Sequence, residues 1–199
     1  RKANERAASG EAAPVPHGDM VAGGGCLTKE EVAGFVATLK SFGLEVIPEV
    51  QTLSHVEYLT LSHPEIAEVP ADTPEDEEVD LEADDEKQIV YHHCYCPSAP
   101  GVYPLVFDLI DEIVEVVRPE RFVHLGHDEV YQIGSCPRCR ELDKAALFAE
   151  DVRKLDEHVK SKGLRSMIWA DMLQPNRNYG TEDAIDAIPE DIVLLDFVW

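Results

Sequence analysis

The sequence is poor in basic residues. Its 199 residues include 17 lysines and arginines against 40 aspartates and glutamates, which gives a formal net charge of −23 at pH 7. A protein that binds the phosphate backbone of a nucleic acid needs a basic surface, so this imbalance argues against nucleic acid as a partner. Adaptation to a salty environment is a second explanation of the acidity, and the sequence leaves it open.

Long apolar runs are also missing. No stretch approaches the roughly 20 apolar residues that a helix needs to cross a membrane. The chain begins at Arg1 and ends at Trp199 inside the apolar run 191–199, so we interpret it as part of a longer protein. The sequence determines neither the oligomeric state nor the compartment, although a cytoplasmic location is favoured.

Cysteine is scarce and unevenly placed. Cys94 and Cys96 form a C-x-C pair, Cys136 and Cys139 form a C-x-x-C pair, and Cys26 stands apart. An odd, clustered set does not resemble a disulfide framework. Because the two pairs follow consecutive predicted strands, their four thiolates could close a structural zinc site at one edge of the fold. Reduced, partly buried thiols without a metal are the favoured alternative.

The chain divides into two predicted regions. Residues 1–26 are rich in alanine, glycine and proline and have no regular period, which indicates a loop or linker. Residues 27–199 form the folded domain. Within it, a dense acidic stretch at about 65–90 has little apolar periodicity, and we interpret it as a solvated loop insertion.

Four helical patterns alternate with four apolar strands. The first helix begins with a capping box of Thr28 and Glu31 and carries an apolar stripe of Val32, Phe35, Val36, Leu39 and Phe42. Further helices are predicted at 103–117, 145–162 and 181–188, and the third of the four helices has a stripe of Leu147, Val152, Leu155 and Val159. The predicted strands are 44–50, 121–126, 164–170 and 191–199.

Alternating helices and strands are typical of a parallel α/β protein, either a (β/α)₈ barrel or an open doubly wound sheet. The polar residues favour the barrel, because they follow the carboxyl ends of the predicted strands, where the catalytic residues of such barrels gather. We therefore predict a partial (β/α)₈ TIM barrel with about four βα units, its first and last strands missing.

The stretch FVHLGHDEVYQIG at 122–134 places Asp128 and Glu129 after a short apolar run, beside His124 and His127. A metal site made from all four would be strained, because residues three apart in a strand point to opposite sides. Two carboxyls at a strand end could instead share one site and divide acid and base work between them, as in glycoside hydrolysis. From the pair alone, an ordinary solvated loop is the favoured interpretation.

Five blocks of the sequence, in order, resemble the motifs of family 20 glycoside hydrolases, the β-N-acetylhexosaminidases. HLGHDE at 124–129 resembles H-x-G-G-D-E, with His127 in place of the second glycine. VIPEVQTLSH at 46–55 is similar to the I-P-E-x-x-x-x-x-H block, with Leu53 and Ser54 in place of Pro-Gly. YCPSAPGVYPLVFDLIDE (95–112) resembles the segment before the catalytic strand, and MIWADML (167–173) resembles the W-x-D block. DFVW (196–199) places a tryptophan at the next strand end, where the family also has one. The resemblance covers 28–199, and it is greatest to the hexosaminidase D-like branch.

The resemblance implies substrate-assisted, retaining catalysis. Glu129 would be the general acid that protonates the glycosidic oxygen and later activates water. Asp128 would hold the 2-acetamido group of the substrate and stabilise the oxazolinium ion that forms from it. The sugar's own amide is then the nucleophile, so no enzyme carboxylate attacks carbon. The implied substrate is a glycan that ends in N-acetylglucosamine or N-acetylgalactosamine, and no cofactor is implied.

The resemblance also implies a set of substrate-binding residues. Trp169 and Trp199 would wall the acetamido pocket, with core packing as an equal alternative for Trp169. The residues that would orient the acid or the sugar hydroxyls are Glu49, His55, His124 and Asp171. A structural role is an equal alternative for either of those two histidines. His127 would narrow the pocket or reach the sugar, and Tyr131 would line the rim.

Two rival functions remain open: a related amino-sugar glycosidase of different specificity, and a non-catalytic carbohydrate-binding barrel. The presence of both Asp128 and Glu129 favours an enzyme, because binding alone needs no proton donor. The family also uses an arginine from its first strand, and a tyrosine and a Glu–Trp pair from its last two strands. This sequence has no matching strands, so we expect the isolated chain to be inactive.

Overall fold

A computed structural model describes residues 27–69 and 94–196, together with Ser9. Its helices are α1 (Lys29–Ser41), α2 (Glu57–Thr60), α3 (Val102–Val117) and α4 (Lys144–Ser161). Its strands are β1 (Glu49–Thr52), β2 (Phe122–Gly126), β3 (Arg165–Trp169) and β4 (Val193–Leu195). Apart from Ser9, the predicted linker at 1–26 lies outside the described residues, as do Trp199 and the acidic insertion beyond residue 69.

The four strands form one parallel sheet in the order β1-β2-β3-β4. In a doubly wound sheet the strand order reverses at a switch point, whereas in a barrel it advances in one direction around the axis. Here each strand pairs with the next one along the chain, with α3 between β1 and β2 and α4 between β2 and β3. This order confirms the predicted α/β fold and is that of a partial (β/α)₈ barrel.

The core lies between the sheet and the helices α3 and α4. Val123 and Leu125 of β2 are fully buried on one face of the sheet, and the alternation of side chains along a strand separates them from His124 on the other face. The helices contribute further apolar residues to this core, among them Val106, Ile110, Phe148, Val152 and Leu155. The predicted stripe of α4 is confirmed, because Leu147, Val152, Leu155 and Val159 are all buried.

Helix α1 begins with the predicted capping box. The Glu31 amide donates to Thr28 Oγ1 at 3.2 Å, and the Thr28 amide donates to Glu31 Oε2 at 2.7 Å. Its apolar stripe is less buried than its spacing indicates: Val36 is buried, but Phe35 and Phe42 are 63% and 77% exposed. The described element that α1 contacts most is α3, which it meets with one edge rather than with the whole stripe.

Strand β1 begins later than predicted. The strand expected at 44–50 is observed at Glu49–Thr52, and Leu44 and Ile47 are 54% and 41% exposed. Pro48 has no amide hydrogen to contribute to a ladder. Its carbonyl still accepts a hydrogen bond from the His124 amide at 2.9 Å. Because the proline cannot donate in return, regular pairing with β2 starts at Glu49.

The later elements are close to their predicted positions. β2 and β3 lie within one residue of their predicted bounds, and the helix expected at 181–188 is a 3-10 helix, Glu182–Asp186. The acidic segment, predicted to be solvated from residue 65, begins with buried residues, because Ile66 and Glu68 are each 1% exposed.

Among the described helices, we find none with the length and apolar character of a membrane span.

Candidate active site

The loop after β2 has an unusual backbone. Gly126, His127 and Glu129 have positive φ angles of 73°, 71° and 51°, a conformation that costs a non-glycine residue roughly 1–2 kcal/mol. A Cβ atom on Gly126 would lie 1.9 Å from Oε1 and 3.2 Å from Cα of Gln51 in β1, so only glycine fits there. These left-handed residues interrupt the alternation of the strand, which lets Asp128 and Glu129 approach the same point.

The loop after β1 has the same kind of backbone. Leu53 and His55 have φ angles of 65° and 52°, and Ser54 Oγ between them donates a hydrogen bond to the backbone carbonyl of Asp128. The two loops are therefore tied together at the carboxyl ends of neighbouring strands. Such sparsely populated backbone conformations cluster at functional sites, where the surrounding structure holds them in place.

The neighbouring carboxylates converge on one imidazole. His55 Nε2 lies 3.3 Å from Asp128 Oδ2 and 3.1 Å from Glu129 Oε2. Burial opposes the charge on His55, but the hydrogen bonds and charges of the two carboxylates outweigh burial and raise its pKa to about 10. Burial likewise opposes ionisation of Asp128, yet the hydrogen bond and charge of His55 keep the pKa of this carboxyl below its ordinary value. At neutral pH the site therefore contains an imidazolium and an ionised Asp128.

Asp171 supports the pair from the 3-10 turn after β3. Its Oδ2 accepts a hydrogen bond from the Glu129 amide at 2.8 Å, which holds this residue in its left-handed conformation. Burial, together with the nearby negative charges of Asp128 and Glu129, raises the pKa of Asp171 to about 6. Its Oδ1 is enclosed and has no hydrogen-bond partner among the described residues.

A second group of predicted site residues lies around His124. Its ring packs on Trp169 with the centroids 4.7 Å apart, and its Nδ1 lies 3.5 Å from Glu49 Oε1. Trp169 Nε1 donates to the same carboxylate at 3.2 Å. Burial, which outweighs the charge of Glu49, lowers the pKa of His124, so this histidine is neutral at pH 7. The structure thus brings these three residues together, from β1, β2 and β3.

Tyr131 lies one turn beyond the acid pair. Its amide donates to the Glu129 carbonyl at 2.8 Å, and its ring is half-buried against Tyr179, with the centroids 5.3 Å apart. Trp199, the other predicted wall of the pocket, lies outside the described residues.

His127 is placed differently from the other predicted site residues. It is fully buried, with Nε2 3.0 Å from Asp151 Oδ2 and its ring edge-on to Phe148 of α4. Its side chain therefore faces the helices, where a sugar has no access. His124 faces Glu49 and Trp169 instead, so the structure does not assemble the metal site of two histidines and two acids that the strand geometry disfavoured.

Three of the four cysteines that were predicted to meet do so. Cys96 Sγ lies 3.5 Å from Cys136 Sγ and 3.4 Å from Cys139 Sγ. The fourth member of this group is Glu68 rather than the predicted Cys94. The C-x-C spacing explains the difference, because a single intervening residue is shorter than the two to four that usually separate two ligands of one zinc ion.

Sequence reasoning missed two buried acids, Asp151 and Glu68, that lie beside the predicted residues. Asp151 accepts hydrogen bonds from the hydroxyls of Tyr95 and Tyr103 and lies beside His127. A signal for it existed, because a charged residue on the apolar stripe of α4, next to Val152, is out of place without a buried partner. Glu68 had no such signal, since it is one acid among many in its segment.

Comparisons with known proteins point to one family. Residues 3–192 match the family model described as "Glycosyl hydrolase family 20, catalytic domain". The chain is 29% identical over 140 residues to a beta-hexosaminidase of Akkermansia muciniphila, covering 69% of this chain and 27% of that protein. It is 28% identical over 148 residues to hexosaminidase D of Bos taurus, covering 70% and 37%.

Solved structures show the same fold. The exo beta-N-acetylglucosaminidase of Vibrio harveyi, a family 20 enzyme, superimposes with a TM-score of 0.65 at 22% identity, covering 88% of this chain and 26% of that one. Dispersin B superimposes with a TM-score of 0.57 at 16% identity, covering 87% and 43%. The chain thus spans less than half the length of each of these relatives. It belongs to glycoside hydrolase family 20, as part of the catalytic domain of that family.

Proposed function

We propose that the full-length protein containing this chain removes terminal N-acetylhexosamine from glycans by substrate-assisted, retaining hydrolysis. The observation that carries the proposal is the approach of the adjacent carboxylates of Asp128 and Glu129 to the same atom, Nε2 of His55, at 3.3 and 3.1 Å. Adjacent residues of a regular strand would point to opposite faces. Here the left-handed conformations of His127 and Glu129 bring the two carboxylates to one point, at a cost in conformational energy. Such an arrangement suits a site that needs two carboxylates with different tasks.

In the proposed reaction Glu129 is the general acid, and it acts in its protonated form rather than as the carboxylate that faces His55 in the structure. It gives its proton to the glycosidic oxygen as the bond to the anomeric carbon breaks, and it later takes a proton from the attacking water. The amide oxygen of the substrate forms the new bond to the anomeric carbon, which yields a cyclic oxazolinium ion and retains the configuration after hydrolysis. The proposed chemistry requires no cofactor, because the substrate supplies the nucleophile and the chain supplies the acid.

Asp128 is the proposed partner of the acetamido group. It accepts a hydrogen bond from the amide N–H and faces the positive charge that develops as the oxazolinium forms, a task that requires an ionised carboxylate. The lowered pKa of Asp128 meets this requirement. Asp171 keeps the Glu129 backbone in place through the 2.8 Å hydrogen bond from its amide, so we assign it a positioning role.

The indole of Trp169 is proposed to contact the substrate near the acetamido methyl group. It is half-buried, and its ring nitrogen donates to Glu49, so we expect a substrate to meet the apolar ring rather than the N–H group. Its neighbour His124 and the more distant Tyr131 complete the proposed rim, together with Trp199.

The test compares Glu129→Gln with the wild-type full-length protein on chromogenic N-acetylglucosaminide and N-acetylgalactosaminide substrates. We expect turnover to fall by roughly 10²–10⁴-fold, while a stable thiazoline mimic of the oxazolinium still binds. Glu141→Gln is the matched control, because Glu141 lies in the same loop with its side chain 88% exposed, and this variant should be as active as the wild type.

Three outcomes would contradict the proposal. Full activity of Glu129→Gln would remove the acid assignment. A wild-type protein that binds the thiazoline without hydrolysing any substrate would be a carbohydrate-binding barrel. Equal hydrolysis of substrates with and without the N-acetyl group would exclude the substrate's amide as the nucleophile and indicate a different glycosidase.

A further inference from the structure

We propose that Glu68, Cys96, Cys136 and Cys139 bind one structural zinc ion, which fastens the base of the acidic segment to the loop that follows β2. This site is separate from the acid pair and does not depend on the proposed hydrolase function.

The four side chains have the dimensions of a tetrahedral zinc site. Their ligand atoms all lie within 4.8 Å of one another, and the two sulfur separations from Cys96 are 3.5 and 3.4 Å. Zinc–sulfur bonds of about 2.3 Å separate two thiolates at the corners of a tetrahedron by about 3.8 Å. The thiols need to move apart by only a few tenths of an ångström to accept the ion.

The position of Glu68 is difficult to explain without a cation. It is 1% exposed, and its Oε1 accepts a hydrogen bond from the Cys136 amide at 3.1 Å. Its Oε2 is buried and has no hydrogen-bond partner among the described residues. A buried carboxylate costs several kilocalories per mole unless a cation or a full set of hydrogen bonds compensates its charge. A zinc ion on Oε2 would supply that compensation.

The backbone preorganises both halves of the site. Glu68 and Cys96 are brought together by an antiparallel bridge between Ala67 and Tyr95, in which the Glu68 amide donates to the Cys94 carbonyl at 2.9 Å. Cys136 and Cys139 lie in a tight turn closed by the Cys139 amide, which donates to the Cys136 carbonyl at 3.0 Å. The C-x-x-C spacing of this turn is the one most common in structural zinc sites.

The ligand set favours zinc over calcium and magnesium. Three sulfurs and one carboxylate oxygen suit zinc, whereas calcium and magnesium require oxygen ligands throughout. Binding transfers three thiol protons to solvent and involves no oxidation or reduction. The complex of three thiolates, one carboxylate and Zn²⁺ carries a net charge of −2, and the guanidinium of Arg138, which interacts with the thiols of Cys96 and Cys136, partly offsets it.

A disulfide explains the cluster less well. Cys96 is nearly equidistant from the sulfurs of Cys136 and Cys139, so bonding to either would leave the other thiol and the Glu68 carboxylate buried without a function. A single ion uses all four groups at once.

The experiment measures the metal content of the full-length protein, produced with zinc in the medium and purified under reducing conditions. Elemental analysis should give one zinc per chain. Cys136→Ser and Cys139→Ser should lose it, and Cys94→Ser should retain it. Cys94 is the matched control, because it is as buried as Cys96 and two residues away, yet outside the cluster.

Cobalt replacement keeps the proposal testable if the cysteine variants fail to fold. The wild-type protein loaded with Co²⁺ should show thiolate-to-cobalt charge-transfer absorption in the near ultraviolet. X-ray absorption of the zinc form should show three sulfurs at about 2.3 Å and one oxygen at about 2.0–2.2 Å. Glu68→Gln should preserve the sulfur shell and weaken zinc binding at least tenfold in a competition with a chelator.

Two results would overturn the proposal. One is wild-type protein that remains free of zinc after incubation with zinc chloride and a thiol reductant. The other is a disulfide between Cys96 and Cys136 or Cys139, found by mass spectrometry in protein prepared without an added oxidant.

Discussion

Two histidines at the ends of neighbouring strands, His55 and His127, both lie beside carboxylates but in different surroundings. His55 Nε2 is shared by Asp128 and Glu129 at a site whose side chains are 16–23% exposed. His127 pairs with Asp151 in the interior, where both side chains are 0% exposed. Solvent and a ligand can reach the first group, whereas the second is enclosed between the sheet and α4.

The difference between the two groups follows from the two faces of the sheet. The group around His55 has two acids for one imidazole. The side chains of Ser54 and Asp171 hold the backbone of this acid pair in place. The group around His127 is a buried polar network, because Asp151 of α4 also accepts from the hydroxyls of Tyr95 and Tyr103. We therefore expect substitutions at the first group to reduce turnover and substitutions at the second to reduce stability.

The largest expected effect is on stability, at the buried group. Asp151→Asn removes the charge that accepts from two tyrosine hydroxyls and lies 3.0 Å from His127. We expect the free energy of unfolding to fall by about 3–5 kcal/mol, as when one partner of a buried pair is removed. Urea unfolding of the full-length protein measures this change. A loss below 1 kcal/mol would show that the buried group is not a main determinant of stability.

The same chemical change at the other group should affect turnover instead. Asp128→Asn is expected to lower kcat by roughly 10²–10³-fold, because the charge that stabilises the oxazolinium is lost. The urea midpoint should stay close to that of the wild type, since a partly exposed ion pair contributes at most about 1 kcal/mol. Steady-state kinetics and urea unfolding of this variant together test whether the two groups serve different purposes. Equal urea midpoints for Asp128→Asn and Asp151→Asn would contradict this expectation.

Gly126 directly precedes His127 and the acid pair, so its replacement should reduce both stability and turnover. Gly126→Ala places a methyl group against Gln51 in a left-handed conformation, at an expected cost of about 1–2 kcal/mol. Turnover should also fall, because the loop that carries Asp128 and Glu129 must shift. Gly163→Ala is the control, since Gly163 has a similar φ of 76° with open space around it. If the two variants have equal kcat, contact with Gln51 does not set the loop.

The smallest expected effect is a pH dependence of stability. The pKa of His55 is raised to about 10 in the folded protein, against an ordinary value of about 6.5. The stabilisation from its partly exposed ion pairs, at most about 1 kcal/mol, is therefore complete below about pH 6.5 and is lost as the pH rises toward 10. The difference in unfolding free energy between wild type and His55→Gln, measured from pH 6 to 10, should shrink. A constant difference would mean that His55 is not charged in the folded state.

Much of the architecture could be predicted from periodicity. The capping box of Thr28, the stripe of α4 and the positions of β2 and β3 all follow from local patterns that tertiary contacts reinforce. Two features could not be predicted in this way. The exposure of Phe35 depends on which neighbouring element covers that face of the helix. The late start of β1 depends on Pro48, which has no amide hydrogen to donate to the sheet. The partners of His127 were out of reach as well, since its ring crosses to a helix whose Asp151 is 24 positions away.

The sequence by itself determined the alternation of helices and strands, the acidic character and the motifs that indicate the family, because these depend on neighbours along the chain. Only the tertiary structure decided that Asp128 and Glu129 meet at His55, that His127 faces inward, and that Glu68 rather than Cys94 joins the thiols of Cys96, Cys136 and Cys139. Each of these contacts joins residues from separate parts of the chain. Their convergence depends on left-handed backbone turns and strand register, which are settled only when the sheet and its helices pack together.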